Sequence, residues 1–315
     1  MSTDKILDTI IVGGGPAGYS AAIYASRASL DTLVLEQGVP GGQIATSDVI
    51  DNYPGIPSTS GADLGQRMHD HALAAGAASD YGTVSSIMKD DEGLFNIESD
   101  MGVYQARSVI VATGATPRTA GFANEDVYKG RGVSYCATCD AMFYRGKHVF
   151  VIGGGNSACE EAIYLSNVAD KVEVILRRDA FRASRGMVDR MLAHENISVR
   201  YQTSIVAVDG GTFLNAITFH NNETNEEYTE TYDEGSFGIF VATGHNPVTG
   251  LVKPFVELAA DGSVIVNSQM ATKTPGLYCA GDMRSVSLRQ VITAAADGAL
   301  AAVSAYKYVE ETHRS

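Results

Sequence analysis

The chain has 315 residues, long enough for two domains of ordinary size. Hydrophobic residues make up 45% and charged residues 19%, a globular balance that excludes wholesale disorder. With 23 Lys and Arg against 37 Asp and Glu, the net charge is −14, which excludes nucleic acid or an anionic membrane as a partner held by the overall field. No uncharged apolar run is long enough to span a bilayer. The opening segment, MSTDKILDTIIV, lacks the charged, apolar and cleavage regions of a secretory signal. Four cysteines do not make a disulfide framework. A cytoplasmic setting is therefore expected, where a CxxC is catalytic or metal-binding.

Residues 8–18 read DTIIVGGGPAG. Ile10, Ile11 and Val12 form a strand-like run, and Gly13, Gly15 and Gly18 give GxGxxG. A helix pattern, AGYSAAIYASRA, comes after it, and then a strand, DTLVLE, ending in Glu36. The first glycine permits a sharp turn, the second lets backbone approach a pyrophosphate, and the third lets helix and strand pack closely. The helix N-terminus offers N–H groups and a positive dipole end to phosphates. Glu36 stands 23 residues beyond Gly13, where a carboxylate accepts hydrogen bonds from an adenosine ribose. This unit is expected to bind FAD or NAD.

SVIVATG (108–114) is next, a buried strand with a glycine turn and Pro117 close behind. YCATCD (135–140) then places Cys136 and Cys139 at the spacing that permits a reversible disulfide. Zinc would need two more ligands, and Cys159 and Cys279 are isolated in a helix pattern and an apolar strand. Asp140 adjoins the pair, either as a proton donor and acceptor or as the N-cap of a following turn.

Residues 148–158 repeat the first pattern as HVFVIGGGNSA, with Gly153 140 residues after Gly13. Gly153, Gly155 and Ala158 give GxGxxA, and the helix ACEEAIYLSNVA and the strand KVEVIL complete the unit. At the position matching Glu36 stands Leu176, and Arg177, Arg178 and Arg182 come next. Three guanidinium groups there suit a 2′-phosphate, hence NADPH; the alternative is a solvated basic turn. IFVATG (239–244) with Pro247 is a second strand and glycine turn that reads as a crossover between domains. GLYCAGD (276–282) reads as a strand that stops at Asp282, a carboxylate suited to ribityl hydroxyls. A long helix is expected from about Arg289.

These residues together carry a family resemblance. GGGPAG (13–18), GGQ (41–43), DNYPG (51–55), ATGA (112–115), CATCD (136–140), GGGNSA (153–158), RRDAFR (177–182), CAGD (279–282) and RQ (289–290) make the chain similar to the bacterial, low-molecular-weight thioredoxin reductases over essentially its whole length. The resemblance implies an α/β fold of two Rossmann-like, three-layer domains, with the NADPH domain inserted into the FAD domain. The FAD domain would be 1–115 with 246–315, and the NADPH domain 116–245. Gly114–Pro117 and Gly244–Pro247 would be the hinges on which the family turns its NADPH domain.

The resemblance also assigns roles. Gly13, Gly15, Pro16, Ala17 and Gly18 would hold the FAD pyrophosphate, and Glu36 its adenosine ribose. Gly41, Gly42, Gln43 and Asn52 would line FAD, as would Ala112, Thr113 and Gly114. Gly281, Asp282, Arg289, Gln290 and Val291 would hold the ribityl chain and flavin ring. Gly153, Gly155, Asn156, Ser157 and Ala158 would contact NADPH, with Arg177, Arg178 and Arg182 on its 2′-phosphate. Cys139 would face the flavin, Cys136 would attack the disulfide of thioredoxin, and Asp140 would be the acid–base residue. No metal is expected, and the family is usually homodimeric. The family's arginine motif usually opens with His where Leu176 stands; Ala141 replaces a usual Gly, Asn156 a common acid and Cys159 a common Val. A rival reading is a related flavoprotein reductase serving another carrier, peroxiredoxin-linked or glutaredoxin-like.

Overall fold

A computed structural model describes residues 5–313. Residues 1–4, part of the segment read for a secretory signal, lie outside the described residues. β1 (Ile6–Val12) runs into the first glycine turn, α1 (Pro16–Arg27) returns, and β2 (Thr32–Glu36) lies parallel to β1. Pro16 opens α1 at the position where its missing N–H costs no helical bond. After α2 (Gly61–Ala74), whose N-cap Ser60 accepts the Asp63 N–H, come β3 (Ala78–Tyr81), β4 (Val84–Lys89), β5 (Phe95–Ser99) and β6 (Gly102–Val111). The sheet order is β3-β2-β1-β6-β5-β4; β1, β2, β3 and β6 are parallel, and β4 and β5 are an antiparallel extension.

The chain leaves through β7 (Ala115–Pro117). β8 (Val133–Ser134) leads into α3 (Ala137–Asp140), which carries the cysteine pair at its start and third position. β9 (His148–Ile152), α4 (Asn156–Ser166) and β10 (Lys171–Ile175) repeat the strand–turn–helix–strand unit. α5 (Arg185–Leu192) and β11 (Ile197–Arg200) come next. β12 (Thr203–Gly210), β13 (Leu214–Asn221) and β14 (Glu226–Thr231) form an antiparallel sheet of their own. β15 (Phe237–Val241) completes a five-stranded parallel sheet, β11-β10-β9-β15-β8.

β16 (His245–Pro247) pairs with β7, so the two chain crossings form one short ribbon. β17 (Glu257–Leu258) and β18 (Val264–Ile265) pair antiparallel, and β19 (Leu277–Cys279) adds to β6 in the first sheet. α6 (Val291–His313) closes the chain. The fold divides into two units, 1–116 with 246–315 and 117–245.

Period-two alternation builds each core. Ile11, Val34 and Ile110 face one side of the first sheet with α1 and α6; Ile10, Val12, Leu33, Leu35, Val109 and Val111 face the other. In the second unit Val149, Val151, Val172 and Val174 pack under α4, while Phe150, Ile175 and Ile239 pack toward β12 and β13. Both faces are covered, as a parallel sheet requires. The open ends of β1 and β9 are left for the glycine turns, which is where such sheets hold ligands.

Candidate active site

The first glycine turn is sterically set. Gly13 has φ +107°, and a Cβ there would lie 2.5 Å from the Ala112 carbonyl oxygen. A Cβ on Gly18 would lie 1.8 Å from the Gly13 oxygen. Helix and strand therefore meet backbone to backbone. Glu36 closes the turn: one carboxylate oxygen accepts the Gly14 N–H and the other accepts the Gly38 N–H at 2.8 Å. The Gly41 N–H reaches back to the Gly14 carbonyl at 2.9 Å, which brings Gly41, Gly42 and Gln43 beside the turn. At the same sheet end the Ala112 N–H bonds the Val12 carbonyl at 2.8 Å, and the Thr113 hydroxyl donates to the Val248 carbonyl at 2.7 Å. Asn52 donates to the Gln290 side chain at 3.0 Å, although 238 residues separate them.

β19 stops at Cys279, earlier than the sequence suggests, because Gly281 (φ +75°) bends the chain into a single 3₁₀ turn, Gly281–Met283. Asp282 sits in that turn. Burial pushes its carboxyl up to about 6; Asp297 adds to the rise, and Arg289 and Arg284 oppose it. Asp297 is itself buried and holds the turn by accepting the Gly281 N–H at 3.1 Å and the Arg284 guanidinium at 2.7 Å. Arg289 precedes α6, which starts at Val291, and its Nε is buried without a hydrogen-bond partner.

The second glycine turn has the same plan with different neighbours. A Cβ on Gly154 would lie 2.4 Å from Leu176 Cδ1, so Leu176 fills the space under the turn that Glu36 occupies in the first. Beyond Leu176 the arginine loop is pinned by its backbone. The Arg182 and Ala183 N–H groups both donate to the Gly154 carbonyl, at 2.7 and 3.0 Å. Asn156 Oδ1 accepts the Ser184 N–H at 2.9 Å, and the Arg177 carbonyl accepts from Asn222 at 3.0 Å. Arg177, Arg178 and Arg182 remain exposed beside the turn. Asn156 thus ties the arginine loop to the first residue of α4.

Cys136 and Cys139 form a disulfide with Cα atoms 5.3 Å apart. The Cys139 and Asp140 N–H groups both return to the Cys136 carbonyl, at 3.2 and 3.1 Å, which is how four residues close the ring. Thr138 Oγ1 lies 3.4 Å from Cys136 Sγ. Asp140 does not cap the next turn: Ala141–Tyr144 has no side-chain cap from it. Its Oδ2 accepts the Ser134 hydroxyl at 2.6 Å instead. Tyr144 is pushed up to about 12, chiefly by burial, with the charge of Asp140 adding.

Behind the pair lies Glu161 of α4. It accepts the Ala137 N–H, its Oε2 is buried without a partner, and burial pushes its carboxyl up to about 7. Cys159 and Cys279 are free and buried. Among the described residues, no group of three or more His, Cys, Asp or Glu is placed to hold a metal ion. Sequence reasoning singled out neither Ser134 nor Glu161. A hydroxyl two residues before the first cysteine was the available signal for one; for the other, a carboxylate three residues after Ala158 and one before Ala162, both of which are buried on the helix.

A family model described as pyridine nucleotide-disulphide oxidoreductase matches residues 7–298. The chain belongs to the pyridine nucleotide-disulphide oxidoreductases. It is 43% identical over 311 residues to the thioredoxin reductase of Treponema pallidum (strain Nichols), covering 98% of this chain and 99% of that one. It is 40% identical over 316 residues to that of Bacillus subtilis (strain 168), covering 99% and 97%. The solved thioredoxin reductase of Streptococcus pyogenes MGAS5005 is 37% identical and superposes with a TM-score of 0.91, over 98% of this chain and 100% of that one.

The oxidoreductases of this family use FAD and NADPH, and the residues here fit both. A glycine cradle that a single Cβ would fill, a carboxylate at the ribose position, an orphaned Arg289 Nε and a buried Asp282 suit a dinucleotide with a flavin. The pinned loop of exposed arginines suits the extra phosphate of NADPH. Among the described residues no helix is long and apolar enough to cross a membrane.

Proposed function

We propose that the chain reduces the disulfide of thioredoxin at the expense of NADPH, with the unit 1–116 and 246–315 holding FAD and the unit 117–245 holding NADPH. One observation carries this reading. A formed Cys136–Cys139 disulfide lies in the same unit as an arginine-flanked glycine turn, and the other unit has an acid-flanked one. When bound, FAD would supply the two-electron redox chemistry that links NADPH to the disulfide. The protein's own part is to hold the nucleotides, to cycle the sulfur pair and to move protons. Glu36 orients the adenosine ribose, Asp282 with Arg289 orients the ribityl chain and ring, and Arg177, Arg178 and Arg182 take the 2′-phosphate.

In the reduced pair, Cys136 attacks the disulfide of thioredoxin. A Cys136–sulfur bond forms, the thioredoxin S–S bond breaks, and its leaving thiolate takes a proton from Asp140. Cys139 then attacks Cys136 Sγ, restores the ring and expels the second thioredoxin thiol. On the same reading the enzyme is a cytoplasmic homodimer; the exposed apolar side chains Ile292, Leu300, Val303 and Tyr306 along α6 support the dimer. The test is NADPH oxidation by the FAD-loaded protein with and without thioredoxin. Wild type is expected to depend on thioredoxin, and Cys139→Ser to keep its flavin but lose that dependence entirely. A Cys139→Ser protein with normal turnover overturns the reading. NADPH use that ignores thioredoxin and responds to a glutaredoxin-like carrier moves the partner.

A further inference from the structure

Ser134 ends β8 and is 4% exposed, two residues before the first cysteine. Its hydroxyl makes two bonds that meet in the redox turn. It accepts the Cys136 N–H at 3.1 Å and lies 2.6 Å from Asp140 Oδ2. The Cys136 carbonyl is also in reach, at 3.4 Å. A hydroxyl has one proton to give, and the shorter contact is to a carboxylate, where a charge-assisted bond is the stronger. The Cys136 N–H occupies an acceptor site on Oγ and so orients the hydroxyl proton toward Asp140. β15 fixes the backbone beneath: Ser134 pairs with Phe240 in a parallel ladder. Buried hydroxyl, half-buried cysteine backbone and half-buried carboxylate thus form one hydrogen-bonded network.

We propose that Ser134 is a positioning residue for thiol–disulfide exchange: it holds Asp140 by Oδ2, so that the transferable proton rides on Oδ1, and ties the carboxyl to the backbone of the attacking cysteine. This deepens the reading of Asp140 as the acid–base residue and rests on it. In the exchange, the Cys136 thiol gives its proton to Asp140, and the thiolate so formed bonds to one sulfur of the partner disulfide while that S–S bond breaks. The leaving thiolate takes the proton from Asp140 Oδ1. Cys139 then closes on Cys136 Sγ, and the second leaving thiolate takes the proton given up by Cys139. The two electrons and two protons of the dithiol end on the partner. Throughout, Oδ2 keeps its bond to Ser134, so the carboxyl need not search for its orientation at each turnover.

Other ionisable groups face the same turn. Cys136 and Cys139 share it, Tyr144 lies just after it, and Glu161 of α4 accepts the Ala137 N–H within it, with the exposed Glu160 as a charged neighbour of Glu161. On the preceding side Tyr135 donates to Glu125 at 2.6 Å, with Lys129 over its ring. The test must therefore tie any change of pH profile to Asp140.

The experiment is thioredoxin-dependent turnover of the FAD-loaded enzyme across pH for Ser134→Ala, Ser134→Thr, Asp140→Asn and the double variant Ser134→Ala with Asp140→Asn. Loss of a donor to a carboxylate favours its protonated form. Ser134→Ala is expected to move the limb set by Asp140 upward by about one pH unit and to lower the plateau roughly tenfold. Ser134→Thr, which keeps the hydroxyl, restores the wild-type profile. In the Asp140→Asn background Ser134→Ala adds nothing. Ser134→Ala with a wild-type profile, or losses that simply multiply in the double variant, overturn the proposal. Asp140→Asn with wild-type turnover at every pH overturns the acid–base reading itself. Should Ser134→Ala not fold, Ser134→Gly supplies the hydroxyl-free variant.

Discussion

α1 and α4 start from the same turn and end in different chemistry. Their positions match at an offset of 140 residues, so Gly18 stands against Ala158, Ser20 against Glu160 and Ala21 against Glu161. α1 is squeezed from both sides. Its Gly18 meets the backbone of Gly13, and Gly298 of α6 approaches so closely that a Cβ would lie 2.0 Å from the Ala17 oxygen. The Ser20 hydroxyl donates to the Ala295 carbonyl at 2.6 Å, which ties the two helices. Among the described residues, α4 has no long helix packed along it as α6 is along α1. It packs on α3 and α5, admits a methyl group at Ala158 and carries a buried carboxyl at Glu161. The lesson is that the glycine pattern fixes the turn, while the residues around it choose the task. In one unit close packing leaves room for nothing but backbone at the turn. In the other unit the helix carries an acid beneath the cysteine pair.

The contrast breaks most visibly at its tightest point. Gly18→Ala places a methyl group on the Gly13 carbonyl, and the protein is expected to lose its flavin on purification. Flavin content per chain, read from the absorption spectrum, checks this; full occupancy would mean that the turn yields.

The arginine loop comes next. Replacing Arg177, Arg178 and Arg182 together by Ala is expected to raise KM for NADPH at least ~100-fold and to change KM for NADH less than about threefold, because each lost charge-assisted contact costs about 1.5–3 kcal/mol. Equal losses with both nucleotides would assign the loop to folding instead.

Glu161 gives a smaller effect with a defined sign. Its carboxyl rises from 4.5 to about 7 on folding, chiefly through burial. Between those values the folded chain keeps a proton that the unfolded chain has lost, so stability contributed by this residue falls as pH rises through that window. Glu161→Gln is expected to match wild type near pH 5 and to exceed it near pH 8 by at most about 3 kcal/mol. Thermal unfolding at the two pH values checks it; identical pH slopes would contradict it. The smallest change is Ala158→Gly, the reverse of the first, with a loss of about 1 kcal/mol and NADPH binding retained.

Much of this was legible in the chain. Apolar runs ending at Val12 and Ile152, each leading into three glycines and a small-residue helix, announce both units, because the motif is local. Glu36 and Leu176 could be compared by counting alone. The rest depends on tertiary neighbours. The separate sheet β12-β13-β14 carries no motif. Asn52 and Gln290 meet only because β19 adds to the first sheet and returns the C-terminal segment to it. Asp140 could be an acid or a cap by spacing; only the closed turn shows that its carboxyl goes to Ser134 and leaves the next turn uncapped. Glu161 reads as one of two acids on a helix until α3 packs over it.

On the proposed reading, one turn, built twice, selects different nucleotides through the residues at and beyond the end of its second strand. The most direct measurement is kcat/KM of the FAD-loaded enzyme for NADPH and for NADH, with thioredoxin as the acceptor. NADPH is expected to be preferred by about two orders of magnitude or more, since NADH lacks the phosphate that the arginines would hold. Equal kcat/KM values for the two would contradict it.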